Sequence, residues 1–260
     1  MLLTVDIGNT NITLGLFDEK DNYVNEFRLP SDKELSESEY CNLLSTILKD
    51  YKIDGCIIAS VVEELNIKFR QAIDSVLGLK SLFLTYKTNC GIKIIADTPS
   101  EVGADRIANV VAVSHKYKGK VVIVVDFGTA TTFDIVNSKN EFCGGVIAPG
   151  IKTQLKCLNT TTSKLPKIDV SISPCAVGHN TTEAILSGVI RGTACMVDGL
   201  INQCEKELGE KAILVATGGY SGLIANYLEH QFDEINQILT LEGLRQIYQI
   251  NLVQNNREYL

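Results

Sequence analysis

The sequence predicts an α/β protein of two related domains, each with a mixed central sheet flanked by helices, and a ligand cleft between the domains. The first observation is a strand that ends in Asp-x-Gly and polar residues, which occurs at 6–11 and again at 126–132. The second is the order of strands and helices after each copy, which is typical of α/β layers. The duplication predicts one domain over 1–117 and another over 118–260, with the boundary at the short polar segment that begins at Lys118.

The composition is that of an ordinary globular protein, with 45% hydrophobic and 21% charged residues. A formal net charge of −7 argues against a nucleic-acid-binding surface, because such surfaces gather basic residues. Charged residues interrupt the apolar runs, and the N-terminus lacks the pattern of a signal peptide. We therefore expect a cytoplasmic protein that binds neither nucleic acid nor membranes.

The eight cysteines occur singly, without a Cys-x-x-Cys pair or a histidine at zinc-ligand spacing. We expect free thiols in a reducing compartment rather than a disulfide framework. Cys56 and Cys195 lie beside apolar residues and are predicted to be core residues.

The first predicted domain begins with three meandering strands and continues with alternating helices and short strands. Apolar residues at helical spacing mark the helices, and Gly78 is a typical C-terminal stop. The predicted order is strands at 2–5, 12–17 and 23–29, a helix at 35–51, a strand at 56–62, a helix ending at Gly78, strands at 81–85 and 91–95, and a helix beginning near Asp105.

The second predicted domain repeats the meander of the first. A long helix is expected to begin near Thr181, where Thr181 or Thr182 can cap it. The predicted order is strands at 122–125, 133–136 and 142–147, a helix starting near Ile151, a polar loop at 160–166, the helix toward Leu208, and a strand at 212–216.

Each Asp-x-Gly hairpin combines a carboxylate with close backbone and hydroxyl donors, a combination that can hold a metal ion and a phosphate. In the first hairpin the residues from Gly8 to Asn11 can bind phosphate, and Asp6 can hold Mg²⁺ directly or through water. In the second, Asp126 and Thr129 offer further oxygen ligands. The sequence lacks a P-loop motif and a Gly-x-Gly-x-x-Gly fingerprint after a strand, so if the chain binds ATP, it does so by another route.

Gly218 and Gly219 follow the last predicted strand, where α/β proteins bind ligands. Two glycines alone are usually a simple turn, but after two Asp-x-Gly hairpins they indicate the nucleoside end of a nucleotide site.

Asp105 and Arg106 lie in the first turn of a predicted helix, and each has two interpretations. Asp105 is either a carboxylate that favours the helix start or a base that projects into the site. Arg106 is either a surface charge or a residue that steadies an anionic substrate or phosphate. Their position alone does not choose between these interpretations.

The chain resembles the ribonuclease-H-like fold of the actin and sugar-kinase superfamily, and more specifically the type III pantothenate kinases. Gly103-Ala104-Asp105-Arg106 is the most discriminating of the motifs that carry this resemblance. The motifs occur in the same order as in that family, and the resemblance extends over nearly the whole chain. They are Asp6-Ile7-Gly8-Asn9-Thr10-Asn11, Pro99-Ser100-Glu101-Val102-Gly103-Ala104-Asp105-Arg106, Asp126-Phe127-Gly128-Thr129-Ala130-Thr131-Thr132 and Thr217-Gly218-Gly219.

The resemblance implies ATP-dependent phosphorylation of pantothenate to 4′-phosphopantothenate, the first step of coenzyme A synthesis, by a cytoplasmic homodimer. It also implies Mg²⁺ and a monovalent cation, K⁺ or NH₄⁺, as cofactors. Asp105 is implied as the base, Asp126 as the ligand of the monovalent cation, and Thr129 as an ATP contact. The remaining implied ATP contacts are Asp6, Ile7, Gly8, Asn9, Thr10, Asn11, Ile12 and Thr13. The implied pantothenate contacts are Gly103, Ala104, Asp105 and Arg106. Thr181 is implied to contact pantothenate across the dimer interface.

One segment departs from the family pattern, and two other functions compete with this one. Some relatives place an aromatic pantothenate contact just before the Gly-Ala-Asp-Arg segment, where this chain has Ile94-Ile95-Ala96. The alternatives are another small-molecule kinase of the superfamily, or a non-catalytic accessory or regulatory protein on the same scaffold. A substrate panel separates the first from a pantothenate kinase, and a test of ATP binding separates the second.

Overall fold

The computed structural model describes residues 1–162 and 165–257 and divides the chain into two compact units. The first unit contains Met1–His115 together with the chain from Ile238 onward, and the second contains Lys116–Gln237. We describe the two units in turn.

The first unit has a five-stranded sheet in the order β3-β2-β1-β4-β5. Strands β1, β2 and β3 form an antiparallel meander, and β4 and β5 join it in parallel. The elements are β1 Leu2–Ile7, β2 Asn11–Phe17, β3 Tyr23–Pro30, α1 Glu37–Leu48, β4 Gly55–Ser60, α2 Glu63–Leu77, β5 Leu82–Phe83, β6 Lys93–Ile94, a 3₁₀ turn Pro99–Glu101, and α3 Ala104–Lys116.

Within the second unit five strands repeat this arrangement in the order β9-β8-β7-β10-β11. The meander is again antiparallel and the last two strands are again parallel. The elements are β7 Val122–Phe127, β8 Ala130–Val136, β9 Glu141–Pro149, α4 Ile151–Thr161, α5 Thr181–Leu186, a π-helical turn Ser187–Arg191, α6 Gly192–Leu208, β10 Ile213–Thr217, α7 Ser221–Ala225 and β11 Glu234–Ile235. The predicted duplication is therefore confirmed.

The strand register places the two hairpin carboxylates at equivalent positions. Asp6 is the next-to-last residue of β1 and pairs with Thr13 on β2 and Ala59 on β4. Asp126 is the next-to-last residue of β7 and pairs with Thr132 on β8 and Thr217 on β10. Each carboxylate thus lies at the end of a central strand, where ligands of α/β proteins bind.

The last helix, α8 (Leu239–Arg257), belongs to the first unit, so the predicted assignment of 238–260 to the second domain is wrong. Its Leu244 and Ile247 are fully buried in one apolar cluster with Ile57 of β4 and Ala108 of α3. Burial of this apolar face returns the end of the chain to the first sheet. The predicted boundary at 117/118 lies two residues from the observed transition at His115.

All eight cysteines lie in the described part of the chain and are free thiols. Cys56 is buried as predicted, but Cys195 is exposed on α6, so its assignment to the core is wrong. The predicted loop at 160–166 is helical as far as Thr161, and its residues 163 and 164 lie outside the described residues.

The long helix predicted from Thr181 is present, with a π-helical turn inside it. By length and composition alone Thr181–Leu208 could cross a membrane, so its apolar stretch is longer than the sequence analysis allowed. Half of its most apolar window is buried inside the structure, and Ile190, Val197 and Ile201 lie in the core of the second unit. Such burial is typical of a core helix in a globular domain.

Candidate active site

The first hairpin presents an exposed tip on a buried base. Ile7 and Ile12 are fully buried, whereas Asn9, Thr10 and Asn11 are exposed. The N–H of Gly8 donates to the carbonyl of Asn11 over 3.0 Å and closes the turn. The two isoleucines therefore anchor the hairpin in the core, and the polar residues between them remain accessible to a ligand.

Asp6 lies at the base of this hairpin, and its Oδ1 atom is buried. A single carboxylate beside exposed donors fits Mg²⁺, which binds through one or two carboxylates, substrate phosphates and water. No group of three or more His, Cys, Asp or Glu side chains suited to a metal ion occurs among the described residues. Within the described part of the chain, Asp6 is therefore a candidate ligand for a metal ion that brings its other ligands with it.

Asp105 occupies the first turn of α3, beside the end of the central strand of the first unit. A Cβ at Gly103 would lie 2.5 Å from Oδ1 of Asp105 and 3.5 Å from Cγ1 of Val61, while the N–H of Val61 donates to the carbonyl of Ile7 over 3.0 Å. The Gly-Ala-Asp-Arg segment and the first hairpin therefore lie at the same edge of the sheet. Any side chain at position 103 would press on the carboxylate, which explains the glycine.

Burial raises the pKa of Asp105, although the backbone N–H of Arg106, 2.8 Å from Oδ1, opposes this shift. These surroundings solvate the charged carboxylate poorly, so its affinity for a proton is increased. This is the property required of a general base. Ala104, by contrast, lies in a buried apolar cluster.

In the second unit Gly218 lies directly against Asp126. Gly218 has φ +84°, and a Cβ there would lie 2.4 Å from Oδ1 of Asp126 and 2.6 Å from the nitrogen of Phe127. Only glycine combines this backbone conformation with this close approach. The structure therefore brings the Thr217-Gly218-Gly219 segment and the second Asp-x-Gly hairpin together.

The tip of the second hairpin is fixed by the start of α4. The carbonyl of Thr129 accepts hydrogen bonds from the N–H of Gly150 at 3.1 Å and from the hydroxyl of Thr153 at 2.7 Å. A Cβ at Gly150 would lie 2.4 Å from the carbonyl oxygen of Gly128. The sequence pattern does not reveal Thr153, because its partner Thr129 lies 24 residues away along the chain.

The cap of α5 is Asn180, so the prediction that Thr181 or Thr182 caps this helix is wrong. The N–H of Glu183 donates to Oδ1 of Asn180 over 2.9 Å, and the Glu183 carboxylate accepts from the N–H of His179 at 2.8 Å. Thr181 is instead the first residue of the helix and is exposed. Its hydroxyl is therefore not required for capping.

Thr181 lines a cavity of about 910 Å³ within the second unit. One wall comes from α4 and includes Thr153, Gln154 and Cys157, and the other comes from 178–189. Most of the remaining lining is apolar, including Leu158, Ile185 and Val189. A cavity of this size lies within the range of small-molecule sites in proteins.

Comparison with known proteins agrees with this arrangement. A family model described as type III pantothenate kinase matches residues 2–203. A type III pantothenate kinase of Exiguobacterium sp. is 38% identical over 256 residues, covering 96% of this chain and 99% of the relative. Those of Roseiflexus sp. and Dehalococcoides mccartyi are 40% and 41% identical, and they cover 96% and 97% of this chain and 99% and 97% of their own lengths.

Solved structures share the fold. A Campylobacter jejuni protein assigned to the Baf family of transcriptional activators has a TM-score of 0.60 at 23% identity, covering 96% of this chain and 98% of its own. A glucokinase of the ROK family from Streptomyces griseus has a TM-score of 0.54 at 12% identity, covering 95% of this chain and 98% of its own. At these identities the likeness shows the fold alone.

The family model spans more than three quarters of the chain, and relatives at about 40% identity span nearly all of it. The chain therefore belongs to the type III pantothenate kinase family, the enzymes that phosphorylate pantothenate with ATP in the first step of coenzyme A biosynthesis.

Proposed function

We propose that Asp105 is the general base in the transfer of the γ-phosphoryl group of ATP to the 4′-hydroxyl of pantothenate. The observation that carries this proposal is that the Asp105 carboxylate has a raised pKa and lies at the same edge of the sheet as the first hairpin. Asp105 accepts the hydroxyl proton as the oxygen bonds to the γ-phosphorus, and the bond from that phosphorus to the bridging oxygen breaks to release ADP. The proton then passes from Asp105 to water.

The proposal for ATP assigns a different part to each unit. In the first, residues 8–11 bind phosphate oxygens through backbone and side-chain donors. In the second, Thr129 contacts ATP, and Gly218 and Gly219 leave room for the nucleoside. The exposed hairpin tip and the glycine packed on Asp126 support these roles.

Pantothenate is proposed to bind at Gly103 and Arg106, with the guanidinium of Arg106 pairing with the substrate carboxylate. Thr181 is the proposed contact across a dimer interface, since its hydroxyl is not used as a cap and it lines the cavity. Ile95 is exposed where some relatives carry an aromatic contact, so this part of the pocket is proposed to differ in shape.

The pH dependence of kcat/KM for pantothenate tests the base. Because burial raises the pKa of Asp105, the activity is expected to fall with acid around a midpoint above 3.8, the ordinary value for aspartate. The measurement is a pH–rate profile at saturating Mg·ATP. A rate that stays constant down to the ordinary pKa of aspartate would contradict the assignment.

Asp6 is proposed to hold Mg²⁺, directly or through water, and Asp126 to hold K⁺ or NH₄⁺. Oδ1 of Asp126 lies so close to Gly218 that a Cβ at that position would clash with it, and a weakly hydrated cation suits carboxylate and carbonyl oxygens. When bound, these cations neutralise charge on the phosphates. The chain's own part is to orient the carboxylates from the ends of β1 and β7.

Asp126→Asn is expected to lose most of its activation by K⁺, because the amide removes the negative charge that attracts the cation. Turnover is measured with and without KCl, with ionic strength held constant by choline chloride. Asp169→Asn, an exposed aspartate in the same unit, is the control. Full K⁺ activation in Asp126→Asn would overturn the assignment.

We infer a homodimer that packs through the exposed side of the helix from Thr181 to Leu208. Gly188, Gly192 and Gly199 share this side, and no described atom lies within 4 Å of a Cβ built on any of them. Gly192→Leu is expected to produce monomers with a raised KM for pantothenate, measured by light scattering and kinetics. A wild-type monomer with full turnover, or a Gly192→Leu dimer with unchanged KM, would contradict this inference.

We also propose a cytoplasmic location and no nucleic-acid or membrane partners, on the evidence of the net charge and of the burial of the long helix. The net charge of −7 opposes binding to phosphate backbones, and half of the most apolar window of the long helix is buried in the second unit.

A further inference from the structure

We propose that Ser31 is a positioning residue that orients the first hairpin for phosphate binding, an inference that rests on the proposed binding of ATP phosphates by residues 8–11. Ser31 follows β3 directly and lies 23 positions from the residue it contacts. Its two polar groups bind two carbonyls of the hairpin tip, and through them it determines the directions of two backbone donors.

Ser31 contacts two residues of the hairpin tip, Gly8 and Thr10. The Ser31 hydroxyl donates to the carbonyl of Gly8 over 2.5 Å, and the Ser31 N–H donates to the carbonyl of Thr10 over 3.1 Å. In a trans peptide the carbonyl of one residue and the N–H of the next point in opposite directions. The N–H groups of Asn9 and Asn11 therefore point away from Ser31.

The bond to Gly8 matters most because glycine allows its peptide to rotate at little steric cost. If the Gly8–Asn9 peptide turned over, a carbonyl oxygen would replace the N–H donor of Asn9 and repel a phosphate oxygen. The Ser31 hydroxyl opposes this rotation by holding the carbonyl of Gly8 on its own side. A binding loop that is fixed before the ligand arrives avoids the ordering cost during binding.

Ser31 is itself held by the core of the first unit. The hydroxyl of Tyr40 donates to the carbonyl of Asp32, the next residue, over 2.7 Å. Tyr40 is fully buried, and its ring packs edge-on against Phe69 with centroids 5.1 Å apart. The orientation of the hairpin tip is thus connected to a rigid aromatic pair through Asp32 and Ser31.

The test compares Ser31→Ala with Ser31→Thr and with Ser36→Ala in the full-length chain. Ser36→Ala is the matched control, because it removes the hydroxyl that caps α1 in the same unit. Ser31→Ala is expected to weaken binding of a non-hydrolysable Mg·ATP analogue roughly tenfold, the effect of one well-placed hydrogen bond. Adenosine binding and the KM for pantothenate should stay unchanged, and Ser31→Thr should restore analogue affinity.

Titration calorimetry with the ATP analogue and with adenosine separates the outcomes. Equal weakening for both ligands, or a lower melting temperature with unchanged affinity for the analogue, would show a merely structural role and overturn the proposal. Asp6→Asn tests the underlying assignment of the hairpin. If Asp6→Asn weakens analogue binding and Ser31→Ala does not, only the role of Ser31 fails, and if neither variant weakens it, the proposed phosphate site fails as well.

Discussion

Asp105→Asn is expected to lower pantothenate-dependent turnover by about 100-fold or more, the contribution usual for a general base. Asparagine keeps the size of the side chain and an oxygen that can accept from the N–H of Arg106, so the start of α3 should remain intact. What the variant loses is the ability to accept the hydroxyl proton. The loss should therefore appear in kcat, while binding of Mg·ATP changes little.

The same variant is expected to be at least as stable as the wild type at neutral pH. Burial raises the pKa of Asp105 in the folded chain, so at pH values between the unfolded and the folded pKa the folded state keeps a proton that the unfolded state releases. The free energy of unfolding that this group contributes is therefore lost as the pH rises from the unfolded pKa through the folded pKa. Asparagine does not ionise, so the variant does not lose stability in this way. A carboxylate whose removal costs activity but not stability is typical of a functional group.

Steady-state kinetics and thermal unfolding of the same samples test both statements. Asp50→Asn replaces an exposed aspartate in the same unit and is the control for the change in charge. Turnover of Asp105→Asn within a few-fold of the wild type would remove Asp105 from the mechanism. A large fall in melting temperature would mean that its carboxylate serves the fold.

Gly243→Ala is expected to destabilise the first unit by about 3 kcal/mol, because overpacking a close helix contact forces the backbones apart. A Cβ at Gly243 of α8 would lie 1.9 Å from the carbonyl oxygen of Ala108 and 2.5 Å from its carbonyl carbon. The hydroxyl of Thr240 donates to Oδ1 of the fully buried Asn109 over 2.8 Å at the same contact. Separating the helices would disturb that bond too.

Thermal and urea unfolding measure this effect. Gly222→Ala is the matched control, since no described atom lies within 4 Å of a Cβ at that helical position. On helix propensity alone both alanines should stabilise the chain slightly. A Gly243→Ala variant as stable as the wild type would therefore show that α8 does not pack closely on α3, and it would reopen the assignment of the C-terminal helix to the first unit.

The hairpins and the repeated strand order could be predicted from the sequence because their signals are local. Asp6 and Asp126 each end an apolar run and precede a glycine, and the strands that follow are contiguous along the chain. The cap of α5 could also have been found. Asn180 stands three residues before Glu183, the spacing of a capping box, whereas Thr181 does not.

Other features depend on contacts between distant residues and leave no pattern in the sequence. The position of α8 is decided by burial of Leu244 and Ile247 against the first sheet, far from them along the chain. Ser31 follows Pro30, the last residue of β3, and a proline–serine pair in the sequence indicates only that a strand ends there. Its bonds to Gly8 and Thr10 are visible only once β3 lies beside β2.

The most direct test of the whole account is ADP release from Mg·ATP by the intact chain in the presence of K⁺, with pantothenate, glucose or N-acetylmannosamine as the acceptor and the product identified by mass spectrometry. We expect turnover with pantothenate alone, yielding 4′-phosphopantothenate and requiring the monovalent cation. Turnover with a sugar but not with pantothenate, or no acceptor-dependent ADP release with any cation, would contradict the account.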